Sequence, residues 1–433
     1  MSEVVQVQVG QTGNRLGSAF FKQICAEHGL DSAGKPSDPS PERSYGIHKY
    51  FQETSKATFQ PRSLLVDLEP STLDQIRGSA EGYLYSADQY LFDQAGTGNL
   101  FTGGYLGEGA ELAERVFEAL RKQTEACECL QAVQFTHSIG GGTGSGLTSL
   151  LLTRIHEEYY GSILCTYTVA PSSAVSDIVT EPYNAVLSLH HMTDLLNMCM
   201  LFDNEALCGL LSRHFSLASP TYKEINHYIA TAITRITSPI RFAGPLNSNY
   251  RKLGVNIIPY PRRNLLSVST TPNTLTVLQA VAFTFDSANS MSFLPTQDYV
   301  VVDLAAIFRG DVSPVEADTA LTAHMSTRNK SMCQWWFTDL ISSSISRFPQ
   351  FSLTLLLNSA AVCELLERLV GQFNKLMRRK AYLHRYLAEG MEEAEFMEAG
   401  NNVQDVYLEY GQGKKNCFCG YCDEQGRNTL EED

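Results

Sequence analysis

The first half of the chain alternates between short apolar runs and longer stretches in which apolar residues recur at helical spacing. The short runs, typical of buried β-strands, are Val4–Val9, Ser63–Leu68, Gln131–Phe135, Ile163–Val169 and Met198–Phe202. The longer stretches predict helices at Thr12–Glu27, Gly109–Ala126, Gly146–Tyr159 and Tyr183–Leu196. Strands and helices in alternation predict a parallel sheet that is covered by helices on both faces.

The second half starts with a helical region and then returns to strands. An amphipathic helix is predicted at Tyr222–Ile236, and prolines between Pro239 and Pro261 interrupt the pattern. Later strands are predicted at Leu265–Ser269, Tyr299–Arg309 and Phe351–Leu357, and helices at Ser359–Arg379 and Glu392–Tyr410. We therefore predict an α/β fold with a Rossmann-like parallel-sheet domain over residues 1–203, a central helical region over 204–239, a smaller α/β domain over 240–358, C-terminal helices over 359–410 and a disordered tail over 411–433.

Composition and charge exclude several classes of function. A net charge of −14 argues against a nucleic-acid-binding protein and favours basic partners. No apolar stretch is long enough to span a membrane, and the first residues enter a strand pattern without a secretory signal. The eleven cysteines lie mostly singly in apolar segments, which is typical of reduced thiols. We therefore expect a cytoplasmic protein that binds neither nucleic acid nor membrane.

Three cysteines lie close together near the C-terminus, at Cys417, Cys419 and Cys422. Thiols at this spacing could bind a soft metal ion, but no fourth ligand is nearby and no strand frames them. An unstructured tail that carries cysteines is the favoured interpretation.

A glycine-rich segment separates the third predicted strand from the helix that follows it. Five of the seven residues from Gly140 to Gly146 are glycine. Without Cβ atoms the backbone N–H groups can converge on a polyanion, beside the positive end of the following helix. This predicts a phosphate-binding loop, with a flexible surface turn as the alternative. It is not a Walker A loop, because no lysine follows the glycines, and it is not on the first strand as in dinucleotide-binding folds.

Polar residues also follow the first two predicted strands. Gln11 and Thr12 offer N–H groups at a helix N-terminus for a second phosphate contact, with an ordinary N-cap as the alternative. Asp67 and Glu69 follow a buried strand, where carboxylates are costly unless a positive charge answers them. A Mg²⁺ ion carried by a triphosphate would supply that charge, and a helix N-cap is the alternative.

The later strand ends carry residues that could bind a ribose and a purine base. Asp177 and Glu181 could accept hydrogen bonds from ribose hydroxyls, and the Asn204 amide could pair with a purine edge. Tyr222 and Asn226 lie one helical turn apart and offer a stacking ring and a second amide. Each residue taken singly is more often structural, but their placement at successive strand ends favours one nucleotide site.

These motifs together resemble those of the tubulin family along essentially the full length of the chain. The matching strings are Val9–Asn14, Val66–Pro70, Gly140–Gly146, Val175–Asp177, Glu181–Asn184, Phe202–Leu207 and Arg378–His384. The glycine string is close to specific for the tubulin/FtsZ superfamily, whereas the strings around Asn204 and Arg378 favour tubulin. The resemblance implies GTP or GDP as the ligand, with Mg²⁺.

The resemblance also implies which residues hold each part of that ligand. Mg²⁺ would lie at Glu69 and Asp67, directly or through water. The nucleotide would be bound by Gln11, Thr12, Gly98, Asn99, Ser138, Gly140, Gly141, Gly142, Thr143, Gly144, Asp177, Glu181, Asn204, Tyr222 and Asn226.

In that family GTP is hydrolysed between subunits, where a loop and helix of the next subunit position water with a glutamate. The matching segment is residues 244–253, and it carries Asn249 and Lys252 where the hydrolysing pattern has acids. A lysine is protonated near neutral pH and does not act as a base. The resemblance is closest to β-tubulin and implies no catalytic residue in this chain. We expect a cytoskeletal subunit that stacks head-to-tail with an α-like, tubulin-family partner, and GTP hydrolysis only when that partner supplies the acid.

The chain departs from the family pattern at three places. Thr12 replaces the usual cysteine, Gly98 replaces the usual asparagine, and Ser267–Leu278 is shorter than the lateral-contact segment of β-tubulin. Longitudinal assembly is therefore better supported than an ordinary microtubule wall. One alternative is a regulator that caps or templates polymers without propagating them. A small-molecule enzyme is the weakest interpretation, because no Ser/His/Asp order or metal triad accompanies the glycine loop.

Overall fold

One sheet, to which strands from both halves of the chain contribute, organises the structure. The structure is a computed structural model and describes residues 2–37, 46–172, 176, 178–215, 220–242, 249–272, 275–292, 301–310, 312–327, 336–341 and 351–412. The predicted tail from residue 413 onward, with Cys417, Cys419 and Cys422, lies outside the described residues.

Strands and helices alternate as the apolar pattern predicts. The strands are β1 (Ser2–Val9), β2 (Phe51–Glu53), β3 (Phe59–Pro61), β4 (Ser63–Asp67), β5 (Tyr90–Phe92), β6 (Cys129–Ser138), β7 (Ile163–Ala170), β8 (Met198–Asp203), β9 (Leu265–Thr270), β10 (Val301–Arg309), β11 (Trp336–Ile341) and β12 (Ser352–Ser359). The helices are α1 (Gly10–His28), α2 (Pro70–Arg77), α3 (Phe101–Tyr105), α4 (Glu108–Glu125), α5 (Thr148–Glu158), α6 (Glu181–Leu195), α7 (Asn204–Phe215), α8 (Tyr222–Arg241), α9 (Tyr250–Ile257), α10 (Val277–Phe285), α11 (Pro314–Thr327), α12 (Val362–Arg378), α13 (Leu383–Ala388) and α14 (Glu393–Gln412).

The sheet is mostly parallel and contains ten strands of the described chain. Their order is β11-β10-β12-β9-β8-β7-β6-β1-β4-β5, and β2 pairs with β3 in a separate hairpin. Every pair from β5 to β9 is parallel, whereas β12 runs antiparallel to β9 and β10. The carboxyl ends of β1, β4, β6, β7 and β8 therefore meet at one edge of the sheet.

Hydrophobic cores cover both faces of this sheet because successive strand side chains point to opposite faces. Val4 and Tyr167 pack into the core beneath α1 and α8, whereas Val5 and Leu201 pack into the core beneath α4, α5 and α6. The C-terminal helices α12 and α14 extend the second core. The predicted α/β fold class, with a large parallel sheet and C-terminal helices, is confirmed.

Helix α8 is longer than the sequence pattern predicts, because it continues through Pro239 to Arg241. A proline lacks the N–H that would bond the carbonyl one turn earlier, which here belongs to Arg235. The Ser238 hydroxyl donates to that carbonyl instead, at 2.6 Å. The helix therefore continues past the proline with this carbonyl satisfied.

Several elements escaped the sequence pattern, among them β2, β3, β5, β11, α2, α3, α10, α11 and α13. Strands from both sides of residue 240 belong to one hydrogen-bonded sheet, because β8 pairs with β9. The predicted domain boundaries at residues 203, 239 and 358 stay a prediction. Among the described residues, no helix is both long enough and apolar enough to cross a bilayer.

A buried ion-pair cluster joins α1 to α8 and β10. Glu27 lies 2.7 Å from Arg241, whose side chain is fully buried, and 2.6 Å from Arg309. Burial alone would raise the pKa of Glu27, but the two guanidinium groups outweigh it and hold that pKa below its ordinary value. The carboxylate therefore stays ionised where the helix meets the sheet.

Substitution Glu27→Gln should lower the free energy of unfolding by about 3–5 kcal/mol, because it removes the carboxylate that two buried guanidinium groups face. The difference in stability between wild type and the variant should be largest at neutral pH. It should shrink as the pH falls through the low pKa of Glu27, because wild type then loses the same negative charge. Urea unfolding of wild type and variant at pH 7 and at acidic pH measures this difference. Glu118→Gln, at an exposed pair with Arg121, should change little. Equal effects of the two substitutions would contradict the prediction.

Candidate functional site

A cleft of ≈ 600 Å³ opens at the edge where the carboxyl ends of the parallel strands meet. It is lined by fourteen of the predicted residues, namely Gln11, Thr12, Asp67, Glu69, Asn99, Ser138, Gly141, Gly142, Thr143, Gly144, Glu181, Asn204, Tyr222 and Asn226. Gly98 and Gly140 are not among the lining residues, and Asp177 lies outside the described residues. The structure thus brings residues from five strand ends into one cleft.

The glycine loop leaves β6 at Ser138 and enters α5 through a π-helical turn at Thr143–Leu147. A buried histidine fixes its shape: Nδ1 of His137 donates to the Gly144 carbonyl at 2.9 Å, and Nε2 lies 3.0 Å from the Thr168 hydroxyl. Burial lowers the pKa of His137 to about 4, so the ring is neutral near pH 7. The loop is therefore tied to β7 by an uncharged side chain.

Most of the loop glycines are required by packing rather than by ligand access, which differs from the sequence argument. A Cβ on Gly142 would collide with the Thr97 hydroxyl and the Leu100 backbone, and one on Gly144 with the Ser138 carbonyl. A Cβ on Gly141, by contrast, would have no atom within 4 Å. Gly141 is thus the loop glycine that borders open space in the cleft.

The first helix presents its N-terminus to the same cleft. Gly10 has φ +73°, and a Cβ on it would lie 3.3 Å from the Gly144 nitrogen, so the two loops approach closely. The buried Asn14 amide donates to the carbonyls of Gly10 and Val66, both at 2.9 Å. These bonds hold the start of α1, with Gln11, beside the end of β4.

The loop before α3 contributes Asn99, which adopts φ +59° in the left-handed region. Its carbonyl accepts hydrogen bonds from the Thr180 hydroxyl at 3.0 Å and from the Asn184 amide at 2.8 Å. Asparagine tolerates this conformation better than most residues. The two bonds from α6 and its N-terminus therefore fix the loop where it lines the cleft.

Two carboxylates lie at the end of β4. Asp67 is 4% exposed, and burial raises its pKa to about 7; Glu69 is exposed, with its carboxylate over Gly96. Neither forms an ion pair within the described residues, and that part of the chain holds no cluster of three metal-ligating side chains. Their oxygen atoms suit a hard divalent cation, with further ligands supplied by a phosphate group.

Other residues that line the cleft carry a carboxyl group, amides and a ring. Glu181 accepts a hydrogen bond from the Ser176 hydroxyl at 2.5 Å, and burial raises its pKa. Asn204 starts α7 directly after β8, and Tyr222 and Asn226 lie one turn apart at the start of α8. The Tyr222 ring is 54% exposed, so it is accessible for stacking.

Comparison with known protein families agrees with this geometry. Residues 3–212 match the family model described as Tubulin/FtsZ family, GTPase domain. Residues 3–212 are therefore a Tubulin/FtsZ-family GTPase domain. The match runs from β1 into α7 and includes all five strand ends that form the cleft. Such a GTPase domain implies GTP binding and a role in forming polymers.

The GTPase domain also places in its cleft residues that the sequence argument missed. Ser71, Thr72, Thr97, Ser172 and Ser176 add hydroxyl groups, and Arg15 is the one cation among the described lining residues. Arg15 follows Gln11 by one helical turn, a spacing that places both on one face of α1 and was visible in the sequence. Isolated serines and threonines carry no comparable signal.

Lys252 and Asn249 lie at the opposite end of the GTPase domain's sheet. The Asn249 side chain accepts from the Lys252 N–H at 2.8 Å and caps α9, on which Lys252 is exposed. The neighbouring Arg251 donates to the Gly161 carbonyl at 3.1 Å, just before β7 begins at Ile163. Helix α9 is therefore next to the amino end of β7. Residues 244–248 lie outside the described residues.

Substitution Gly142→Ala should destabilise the protein by roughly 1–3 kcal/mol, because its Cβ has no space between Thr97 and Leu100. Gly141→Ala is the matched control and should leave the free energy of unfolding nearly unchanged, because its Cβ borders open space. Urea unfolding of both variants without ligand measures the difference. A destabilised Gly141→Ala variant would contradict this description of the loop.

The raised pKa of Asp67 predicts a pH-dependent effect on stability. Between its ordinary pKa, about 4, and its folded-state pKa, about 7, the folded protein binds more protons than the unfolded chain, so stability falls as the pH rises. Asp67→Asn removes this loss. In metal-free buffer it should be roughly 2–4 kcal/mol more stable than wild type at pH 8 and about 1–1.5 kcal/mol more stable near pH 5.

Asp74→Asn, at an exposed carboxyl on α2, is the control and should track wild type across this range. A constant difference between Asp67→Asn and wild type from pH 5 to pH 8 would contradict the prediction.

Proposed function

We propose that this protein is a cytoskeletal GTP-binding subunit that stacks head-to-tail, as the β-like half of a heteropolymer with an α-like, tubulin-family partner. The observation that carries the proposal is the cleft at the carboxyl ends of β1, β4, β6, β7 and β8, within a Tubulin/FtsZ-family GTPase domain. Close backbone packing, N–H groups at helix starts and a stacking ring are what a nucleoside triphosphate requires.

The positions around the cleft support a division of roles. The phosphates would be bound by the loops that contain Gln11, Asn99 and Gly141–Gly144, and the base by Asn204, Tyr222 and Asn226. Glu181, which lines the cleft, would bind the ribose. Asp67 and Glu69 would hold Mg²⁺, which supplies positive charge to the phosphates when bound. In this arrangement Thr12, Gly98, Ser138, Gly140 and Asp177 stay proposals for the nucleotide site.

Head-to-tail stacking is supported by the positions of the cleft and of α9 at opposite ends of the strands. Two apolar side chains on or near α9 are exposed: Val255, on the helix itself, is 74% exposed, and Tyr160, which precedes the Gly161 carbonyl that Arg251 contacts, is 91% exposed. Contiguous apolar patches mark surfaces that bind a partner, and these two side chains would contribute to such a patch. In a stack, this surface would cover the cleft of the neighbouring subunit.

Lys252 is the reason for proposing a polymer with two kinds of subunit. A copy of this chain would present an ammonium group, not a carboxylate, to the nucleotide it covers. It would pair with phosphate and stabilise bound GTP without activating water. Hydrolysis on this chain would then require a partner that carries an acid at the matching position.

Purified chain incubated alone with GTP and Mg²⁺ should therefore release phosphate slowly, at a rate per molecule that does not rise with protein concentration. Lys252→Glu should raise the rate by about 10²-fold where copies stack, because each copy then supplies an acid to the next. A phosphate-release assay over a range of protein concentrations measures both rates.

Lys56→Glu is the control for the added negative charge, because Lys56 is exposed in the connection between β2 and β3 and is not part of α9. Rapid, concentration-dependent turnover by the unmodified chain would contradict the proposed role of Lys252. A chain that bound GTP no better than ATP would overturn the proposed function itself.

The alternative, a regulator that caps or templates polymers, is supported by the short connection between β9 and α10. Only residues 271–276 separate Thr270 from Val277, in the segment that resembles a lateral-contact loop. A cap would bind a filament end but not lengthen it. Electron microscopy of this chain with GTP and candidate partners distinguishes the two, since extended filaments that contain this chain exclude a pure cap.

A further inference from the structure

A single buried asparagine joins the two loops proposed to bind phosphate. Asn184 lies on α6 and is fully buried. Its Nδ2 group donates to the carbonyls of Asn99, at 2.8 Å, and Gly140, at 2.9 Å. Asn99 belongs to the loop before α3, and Gly140 belongs to the glycine loop. One side-chain amide therefore sets the spacing between the two loops.

The other half of the same amide is also occupied. Oδ1 of Asn184 accepts from the Phe101 N–H at 3.0 Å and from the Tyr386 hydroxyl at 2.7 Å. A carboxamide has two N–H donors and two acceptor positions, so all four are used. A flipped amide would point its NH₂ group at the Phe101 N–H and its oxygen at two carbonyls. The network therefore permits one orientation of the amide.

Tyr386 comes from outside the matched GTPase domain, on the C-terminal helix α13. It is fully buried, and its ring packs edge-to-face against Tyr183 and Phe396, with ring centres 5.6 and 5.3 Å away. A second contact accompanies it, because the Thr102 hydroxyl on α3 donates to the Glu389 carboxylate. The C-terminal segment thus contacts Asn184 through Tyr386, and contacts α3, which follows the loop that contains Asn99, through Glu389.

We infer that Asn184 is a positioning residue for the terminal phosphates of the nucleotide, and that Tyr386 holds its amide in the required orientation. The inference rests on the proposed function and deepens it, because it makes the C-terminal helices a part of the phosphate site. Through Tyr386, the packing of α13 against α6 affects how well the two loops fit a triphosphate. Neither residue lines the cleft, so each acts through the loops it holds.

Two substitutions test the inference without a large change in shape. Asn184→Asp keeps the size of the side chain but turns an acceptor toward the carbonyls of Asn99 and Gly140, which separates the loops. Tyr386→Phe removes only the hydroxyl. Tyr183→Phe is the matched control, because Tyr183 is also buried and its hydroxyl donates to the C-terminal segment, at the Ala381 carbonyl, but not to either loop.

Dissociation constants for GTP, GDP and GMP are measured for each purified protein, together with the free energy of unfolding. Asn184→Asp should weaken GTP binding by about tenfold or more, GDP binding less and GMP binding least, because the loops hold the terminal phosphates. Tyr386→Phe should weaken GTP binding by about threefold, with smaller effects on GDP and then GMP. Tyr183→Phe should leave the ratio of GTP to GMP affinity unchanged, whatever its effect on stability.

Equal weakening of all three nucleotides by Asn184→Asp and Tyr386→Phe, or no weakening, would overturn the inference, since a purely structural role does not discriminate phosphate number. If Asn184→Asp does not fold, the comparison of Tyr386→Phe with Tyr183→Phe decides. The proposed function fails separately, if wild type shows no preference for guanine nucleotides. In that case the ratio of triphosphate to monophosphate affinity is measured with the nucleoside that wild type does bind.

Discussion

The close approach of backbone segments at the carboxyl edge of the sheet is the constraint on which the site depends. Gly10 at the start of α1 and Gly144 at the start of the π-helical turn come so near that a Cβ on Gly10 would touch the Gly144 nitrogen. Around this contact, Asn14, His137 and Asn184 hold backbone carbonyls with buried side chains. The rigid frame leaves Gly141 beside open space. The shape of the cleft is therefore set mainly by main-chain packing, and its selectivity by the few side chains that reach in.

The charges that line the cleft explain why a metal ion suits it. Asp67, Glu69 and Glu181 contribute carboxyl groups, whereas Arg15 is the one cation among the described lining residues. A polyphosphate that entered such a cleft alone would meet more negative than positive side chains. Backbone N–H groups at helix starts offset part of this repulsion. A divalent cation between the carboxylates and the phosphates would remove much of the rest.

The sequence predicted the elements with strong periodicity and the motifs at strand ends, and the structure brings most of those motifs together. It did not predict β2, β3 and β5, because strands of three residues carry too little apolar pattern. It ended α8 before Pro239, because the Ser238 hydroxyl that satisfies the Arg235 carbonyl is a tertiary detail. Asn184 entered the sequence analysis only as part of the string Glu181–Asn184 that resembles the tubulin family. Its neighbours in the sequence do not indicate that a buried amide will join distant loops. The assignment to a β-like subunit remains a proposal.

The opposite placement of the cleft and α9 has a consequence for any stack of such subunits. A row in which every subunit faces the same way has an uncovered cleft at one end and an uncovered α9 at the other. Ligand could enter or leave only at the end with the uncovered cleft, because every interior cleft is covered by the neighbouring subunit. The direction of the parallel strands, fixed when each subunit folds, would thus give the whole filament a direction.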